Sequence, residues 1–205
     1  MKTLMDTRPQ PAVFLDKDGT VLEDEPYNVD PDRMRFAPGA RAGLCRLGRL
    51  GRLGLPLIII SNQPGIGLGK ASPRDLLLVR RRLESMFLSV HAVLAGFYYC
   101  PHHPQAVLAR YACACDCRKP APGLLRAAAK RHCIDLARSW FVGDILDDVE
   151  AGRRAGCRTI LLDNGHETEW LRGAWRTPER IEPDLDGASR WIGAQCPPAD
   201  IGGAA

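Results

Sequence analysis

Two acids set one residue apart carry the first chemical signal. Asp16-Lys17-Asp18-Gly19-Thr20 follows directly on the apolar run 12–15. On a strand, residues two apart point to the same side, so Asp16 and Asp18 would repel each other unless a cation lay between them. A few hard oxygen donors suit Mg²⁺, which keeps several waters and accepts phosphate oxygens. A turn after the strand lets the two acids diverge, one as nucleophile and one as proton donor and acceptor. Asp144 closes a second apolar run, 140–143, and would complete a Mg²⁺ site with Asp16 and Asp18 if the two strand ends lie side by side. Asp147 and Asp148 follow at once, and Asp147 reads as the cap of the next helix.

Ser61-Asn62 closes a third apolar run and opens the glycine-rich segment 64–70. A hydroxyl and backbone N–H groups there can hold a phosphate. Pro64 and Ala71 exclude a nucleotide P-loop, and alone the segment reads equally well as a turn. Arg118-Lys119 supplies the permanent positive charge that a transferring phosphoryl group needs.

Cysteine usage is uneven. Cys100, Cys113, Cys115 and Cys117 crowd into one segment, beside His102 and His103, while Cys45, Cys133, Cys157 and Cys196 stand alone. The lone cysteines read as small core residues. The start, MKTLMDTRPQP, has no apolar stretch of the kind that directs export, so a cytoplasmic location is expected, where a disulfide framework is rare. The cluster therefore points to a metal.

These residues need elements to position them. Short apolar runs at 12–16, 57–61, 97–100, 140–144 and 158–163 end in polar residues, with a weaker edge candidate at 181–185. Helical stretches fall between them at roughly 39–53, 73–93, 122–132 and 147–155. Ser72-Pro73 opens the second with proline in its first turn, Pro122 suits the first turn of the third, and Gly156 suits the end of the fourth. Alternating strands and helices imply an α/β fold, a Rossmann-like, mostly parallel sheet whose ligands sit at the carboxyl ends of the strands. The segments 20–39 and 94–118 are too short for a large cap domain.

With 205 residues, 45% of them hydrophobic, the chain can build a core, and 1–196 is expected to form a single domain. The segment from Pro197, rich in Pro, Gly and Ala, is expected to be a disordered tail. A dispersed net charge of +4 gives no support to a nucleic-acid or membrane-surface partner. The longest apolar run, 55–60, is too short to cross a bilayer.

Taken together and in this order, the Asp16, Ser61, Lys119 and Asp144 segments resemble the haloacid dehalogenase superfamily of phosphatases, from Phe14 to Leu162. The resemblance implies Asp16 as nucleophile, Asp18 as acid/base, Ser61 as phosphate-binding residue, Lys119 as charge-stabilising lysine and Asp144 as a metal-directed acid. A narrower set, FLDKDGT, SNQPGIGLGK, YYCPHHP and CDCRKPAPGLL, is similar to the D-glycero-D-manno-heptose 1,7-bisphosphate 7-phosphatase family, whose near relative is histidinol phosphatase. That similarity implies a small phosphorylated sugar as substrate, a monomer, a place in nucleotide-heptose synthesis, and a zinc held by Cys100, His102, Cys115 and Cys117. Three thiolates and one imidazole make a closed tetrahedral site, structural rather than catalytic. Such a metal would fix both ends of a coreless loop and position Arg118 and Lys119. His103 in place of His102, and a competing Cys113, stay open. Asn62 and Arg118 are the expected substrate contacts, Arg118 through its guanidinium. Pro64, Leu68 and Ile145 stand where many relatives carry Ser, Arg and Lys, which bears on the second phosphate. A histidinol-phosphate or other small phosphomonoester phosphatase, a DNA 3′-phosphatase and a non-catalytic zinc module are the alternatives. Three convergent acids weigh against the zinc module, and the low net charge against DNA.

Overall fold

The structure is a computed structural model that describes residues 9–51 and 55–196. The apolar runs become β1 (Val13–Leu15), β2 (Leu57–Asn62), β3 (Leu94–Cys100), β4 (Trp140–Gly143) and β5 (Arg158–Leu162), and the weak candidate becomes β6 (Arg180–Glu182). All pair in parallel in one sheet of order β3-β2-β1-β4-β5-β6. The chain runs outward from β1 to β3, then restarts beside β1 with β4. Their junction is the switch point where such sheets open a crevice at the strand ends.

Period-two alternation sorts side chains to the two faces. Val13, Leu15, Leu57, Ile59, Trp140 and Val142 pack under α1 (Ala40–Gly51), α2 (Asp75–Ser89) and α5 (Leu185–Gln195). Phe14, Ile58, Ile60 and Phe141 face α3 (Gly123–His132), with Ala151 of α4 (Leu146–Ala155) in the same cluster. Gly156 ends α4 in the left-handed region, φ 96°, as its place after the helix predicts.

Three expectations shift. The helix predicted from Pro73 starts at Asp75, because Ser72 and Asp75 bond reciprocally across the preceding turn: Ser72 N and Oγ donate to Asp75 Oδ2 at 2.8 and 2.9 Å. Pro122 stands just outside α3 rather than in its first turn. Helix α5 was not expected. Leu185, Ala188 and Ile192 form its buried stripe against α1, and the Asp184 side chain caps it by accepting from Gly187 N at 2.8 Å. Leu53 and the tail from Pro197 lie outside the described residues. No described helix is long and apolar enough to cross a membrane.

Candidate active site

Sheet register brings the predicted acids together. Leu15 is level with Val142 on one side and Ile59 on the other, so Asp16 and Asp144 leave adjacent strand ends and Ser61 ends the next strand over. Asp16 N donates to Val142 O at 2.9 Å, which fixes the first acid against β4. Gly19, φ 76°, turns the chain so tightly beside Asp144 that a Cβ there would collide with that carboxylate. A cavity of about 370 Å³ opens over these ends, lined among others by Asp16, Asp18, Ser61, Arg118, Lys119 and Asp144.

Of the three acids predicted as metal ligands, Asp16 and Asp144 converge, and the Asp148 carboxylate lies close enough to share an ion with them. Each offers an oxygen within 4.8 Å of the others, and all three are buried. Asp18 stands beside them. Lys17 Nζ donates to its Oδ1 at 2.6 Å and Gln63 Nε2 to its Oδ2 at 3.2 Å. Lys119, fully buried, reaches into the cluster with Nζ 2.5 Å from Asp16 and 2.6 Å from Asp148. Burial pushes the Asp144 carboxyl up to about 8, and the Asp16 charge adds to it. Burial likewise drives Asp148 well above the ordinary range, against the pull of Lys119. Asp18 is raised by burial, lowered by Lys17 and raised again by Asp16. Burial works to discharge Lys119, but Asp148 and Asp16 outweigh it and hold its ammonium charged. Burial favours the protonated form of Asp144 and Asp148 while no cation is near, and a divalent ion bound through oxygens in place of those protons fits the donor set.

Asp147 plays a part other than the one predicted, and Asn62 takes on a second one. Asp147 does not cap α4: its carboxylate pairs with Arg176, and Asp148 Oδ2 accepts from Ile145 N at 3.4 Å instead. Asn62, expected on substrate, spends its amide on the Lys119 backbone, accepting from Lys119 N at 3.0 Å and donating to Lys119 O at 3.2 Å. It lines the cavity while fixing the lysine. The glycine-rich segment is a turn, since the amides of Leu68, Gly69, Lys70 and Ala71 bond to carbonyls within it. Its Gly67 carbonyl accepts from Val107 and Leu108 N, which seats it on the Cys/His loop.

In that loop Cys100, His102, Cys115 and Cys117 converge, every ligand atom within 4.8 Å of the rest. The separations are 3.2 Å for Cys100–Cys117, 3.7 Å for Cys100–Cys115, and 3.5 and 3.2 Å from His102 Nδ1 to Cys100 and Cys117. Thiolates about 2.3 Å from one zinc stand roughly 3.8 Å apart at tetrahedral angles, so the set fits that ion. His103 lies outside, accepting from Gln105 N at 3.1 Å, and Cys113 is exposed. Cys117 leads through Arg118 to Lys119. Arg118 lines the cavity, and its Nη1 donates to His102 O at 3.3 Å.

Sequence reasoning missed Thr20, Gln63 and His166. Thr20 Oγ1 donates to Asp144 Oδ1 at 3.2 Å, and Gln63 Nε2 donates to Ser61 Oγ at 2.9 Å as well as to Asp18. His166 Nδ1 lies 2.7 Å from Asp144 Oδ2. Thr20 and Gln63 adjoin residues already singled out and could have been found there. His166 sits in an irregular loop that carries no periodic signal.

Known proteins share this plan. A family model described as HAD-hydrolase-like matches residues 116–188. D-glycero-β-D-manno-heptose-1,7-bisphosphate 7-phosphatase of Escherichia coli (strain K12) is 34% identical over 182 residues, 89% of this chain and 87% of that protein. The Yersinia pestis protein of the same name is 36% identical over 186 residues, 91% of each chain. The crystal structure of D,D-heptose 1,7-bisphosphate phosphatase from B. bronchiseptica, complexed with magnesium and phosphate, superposes with a TM-score of 0.77 at 28% identity, covering 91% of this chain and all of that one. The chain belongs to the D-glycero-β-D-manno-heptose-1,7-bisphosphate 7-phosphatase family of HAD-like hydrolases.

Proposed function

We propose that this protein hydrolyses the 7-phosphate of D-glycero-D-manno-heptose 1,7-bisphosphate through an aspartyl-phosphate intermediate. The observation that carries the reading is the buried convergence of Asp16, Asp144, Asp148 and Lys119 beneath one cavity. A carboxylate oxygen of Asp16 attacks phosphorus in line as the bond to the sugar oxygen breaks, and Asp18 gives that oxygen its proton. Asp18 then takes a proton from water, whose oxygen attacks the aspartyl phosphate and releases inorganic phosphate and free Asp16. Lys119 and the Ser61 hydroxyl stabilise the equatorial oxygens. Asp16 and Asp144, with Asp148 or Asp18 beside them, would hold a Mg²⁺ that would supply the positive charge needed for an anionic carboxylate to approach an anionic phosphate. Zinc on Cys100, His102, Cys115 and Cys117 fixes the loop that delivers Arg118 and Lys119, with Arg118 turned toward the rest of the substrate. The protein works as a cytoplasmic monomer, a state that gel filtration tests.

One observation favours a second reading, hydrolysis of a cationic monophosphate such as histidinol phosphate. Asp24 and Glu25 line the same cavity, and apolar Ile145 lines it where a basic residue could meet a second phosphate. Phosphate release from a panel of the heptose bisphosphate, histidinol phosphate and simple sugar monophosphates, with and without Mg²⁺, decides between them. Highest kcat/KM on the bisphosphate supports the first reading; preference for histidinol phosphate replaces it with the second. No Mg²⁺-dependent release from any of them refutes both.

A further inference from the structure

The connection between β5 and β6 reaches both catalytic strand ends. Asn164 Nδ2 donates to Gly19 O at 2.7 Å, behind the Asp16 turn. His166 Nδ1 meets Asp144 Oδ2 at 2.7 Å, and Glu167 Oε2 accepts from Leu146 N, the first amide of α4, at 2.6 Å. Further along, Arg176 pairs with Asp147 and, at 2.7 Å, with Glu150. One irregular segment thus grips the turn after β1, the acid after β4 and the start of α4.

We infer that His166 is a positioning residue that orients Asp144 for the divalent cation. The inference rests on the proposed Mg²⁺ site and names a residue of the chain that serves it. Asp144 has two oxygens. Thr20 Oγ1 is bound to Oδ1 and His166 Nδ1 to Oδ2, so its rotation is fixed from both sides. An ionised carboxylate only accepts hydrogen bonds, so beside ionised Asp144 the imidazole carries its proton on Nδ1. A histidine donating to a metal-directed carboxylate sets the geometry that the cation meets. Asn164 and Glu167 hold the histidine's own segment at two fixed points, close to it on either side in sequence. The His166 side chain is about one-third exposed, so truncating it leaves the core untouched.

The test is Mg²⁺ binding to the purified protein by calorimetry, read beside the Mg²⁺ concentration at half-maximal phosphate release. Loss of a partner that orients a metal ligand weakens binding by about 10- to 100-fold, and His166→Ala is expected in that range. At saturating Mg²⁺ its kcat should return close to wild type. His166→Asn, whose amide nitrogen stands near the place of Nδ1, should recover most of the affinity. The thermal midpoint without Mg²⁺ should barely move in either variant. Wild-type affinity in His166→Ala overturns the inference while leaving the Mg²⁺ site intact. Equal weakening in the Ala and Asn variants, or a midpoint that falls with affinity, also overturns it, since a general role in holding the loop would do the same. A wild-type protein that binds no Mg²⁺ overturns both the inference and the site on which it rests.

Discussion

The acid cluster and the Cys/His cluster differ in how the chain builds them. Asp16 comes from one strand end and Asp144 and Asp148 from another far along the sequence, so sheet register joins the two ends and the first turn of α4 brings in Asp148. The Cys/His ligands come from the end of β3 and one loop whose residues are mostly exposed, with Cys100 the buried anchor. In the first case buried strand ends and a helix start position the acids, and a cation would meet carboxyl groups the sheet has already brought together. In the second, a segment without a core gains its shape from what holds its ends. Hard oxygens that leave coordination places open suit an ion shared with substrate, and four soft or borderline donors close the site. Lys119 joins the two regions, two residues beyond Cys117 and inside the acid cluster.

The comparison breaks most sharply at Asp16. Asp16→Asn should lower phosphate release by at least about a thousandfold, because an amide is a poor nucleophile and a weaker cation ligand. Its fold should persist, since Asp148 still pairs with the buried Lys119 ammonium. Circular dichroism and a phosphate assay check both halves, and near-wild-type turnover would end the covalent mechanism. Stripping zinc should do the reverse, harming structure first. Releasing a clip on such a loop costs about 2–4 kcal/mol, or roughly 5–15 °C in a protein of this size. Metal analysis should find about one zinc per chain, and calorimetry before and after chelation measures the loss. A zinc-free protein with unchanged midpoint and activity would show that the loop holds itself.

The two regions were also unequally legible. Five strands, and a site at their carboxyl ends, followed from apolar runs ending in polar residues, because a buried parallel strand leaves that trace at any distance from its partners. The crowding of Cys and His pointed to a metal and the family resemblance supplied its four ligands, and geometry then separated His102 from His103 and set Cys113 aside. The acid set was not fully local. Asp147 and Asp148 are adjacent and alike in sequence, and only the turn of α4 sends one to Arg176 and the other to Lys119. Asn62 shows a related limit, because its bonds to the Lys119 backbone cross from β2 to a distant segment and leave no trace in the sequence. Helix α5 was missed because its apolar stripe is short and two glycines, Gly187 and Gly193, interrupt the helix.

Asn62 and Arg118 sharpen the link between the regions. Asn62→Ala leaves two backbone groups of Lys119 without partners, a cost of about 1–3 kcal/mol, or five- to a hundredfold in kcat/KM on every substrate. Arg118→Ala should lose about tenfold on the heptose bisphosphate and little on a small monophosphate, because a guanidinium at the cavity wall serves the far end of the substrate. Steady-state kinetics of both variants on both substrates checks the pattern. Equal losses for Arg118→Ala would tie it to the loop, through its bond to His102 O, rather than to selectivity.

The smallest effect is a dependence of Mg²⁺ affinity on pH, and its sign follows from burial. In the metal-free protein, burial and the neighbouring Asp16 charge push Asp144 up to about 8, so below that pH the group tends to hold a proton. A cation needs the carboxylate, and must displace that proton to bind. Apparent affinity should therefore rise as pH rises, by at most about tenfold per pH unit for one released proton, and level off above about 8. The stability of the metal-free protein should run the other way. A carboxyl whose folded pKa lies above its unfolded value of 3.8 contributes stability below that value and loses it as pH climbs toward about 8. Saturating Mg²⁺ should offset this loss, so the metal-induced rise in thermal midpoint grows from pH 6 to pH 8. No such trend is expected for the zinc-dependent rise over that interval if the closed site stays loaded. Scanning calorimetry at several pH values, with and without Mg²⁺, reads both slopes. A Mg²⁺ effect independent of pH would mean that Asp144 is ionised before the cation arrives, and that the excess of buried negative charge is held by the protein alone.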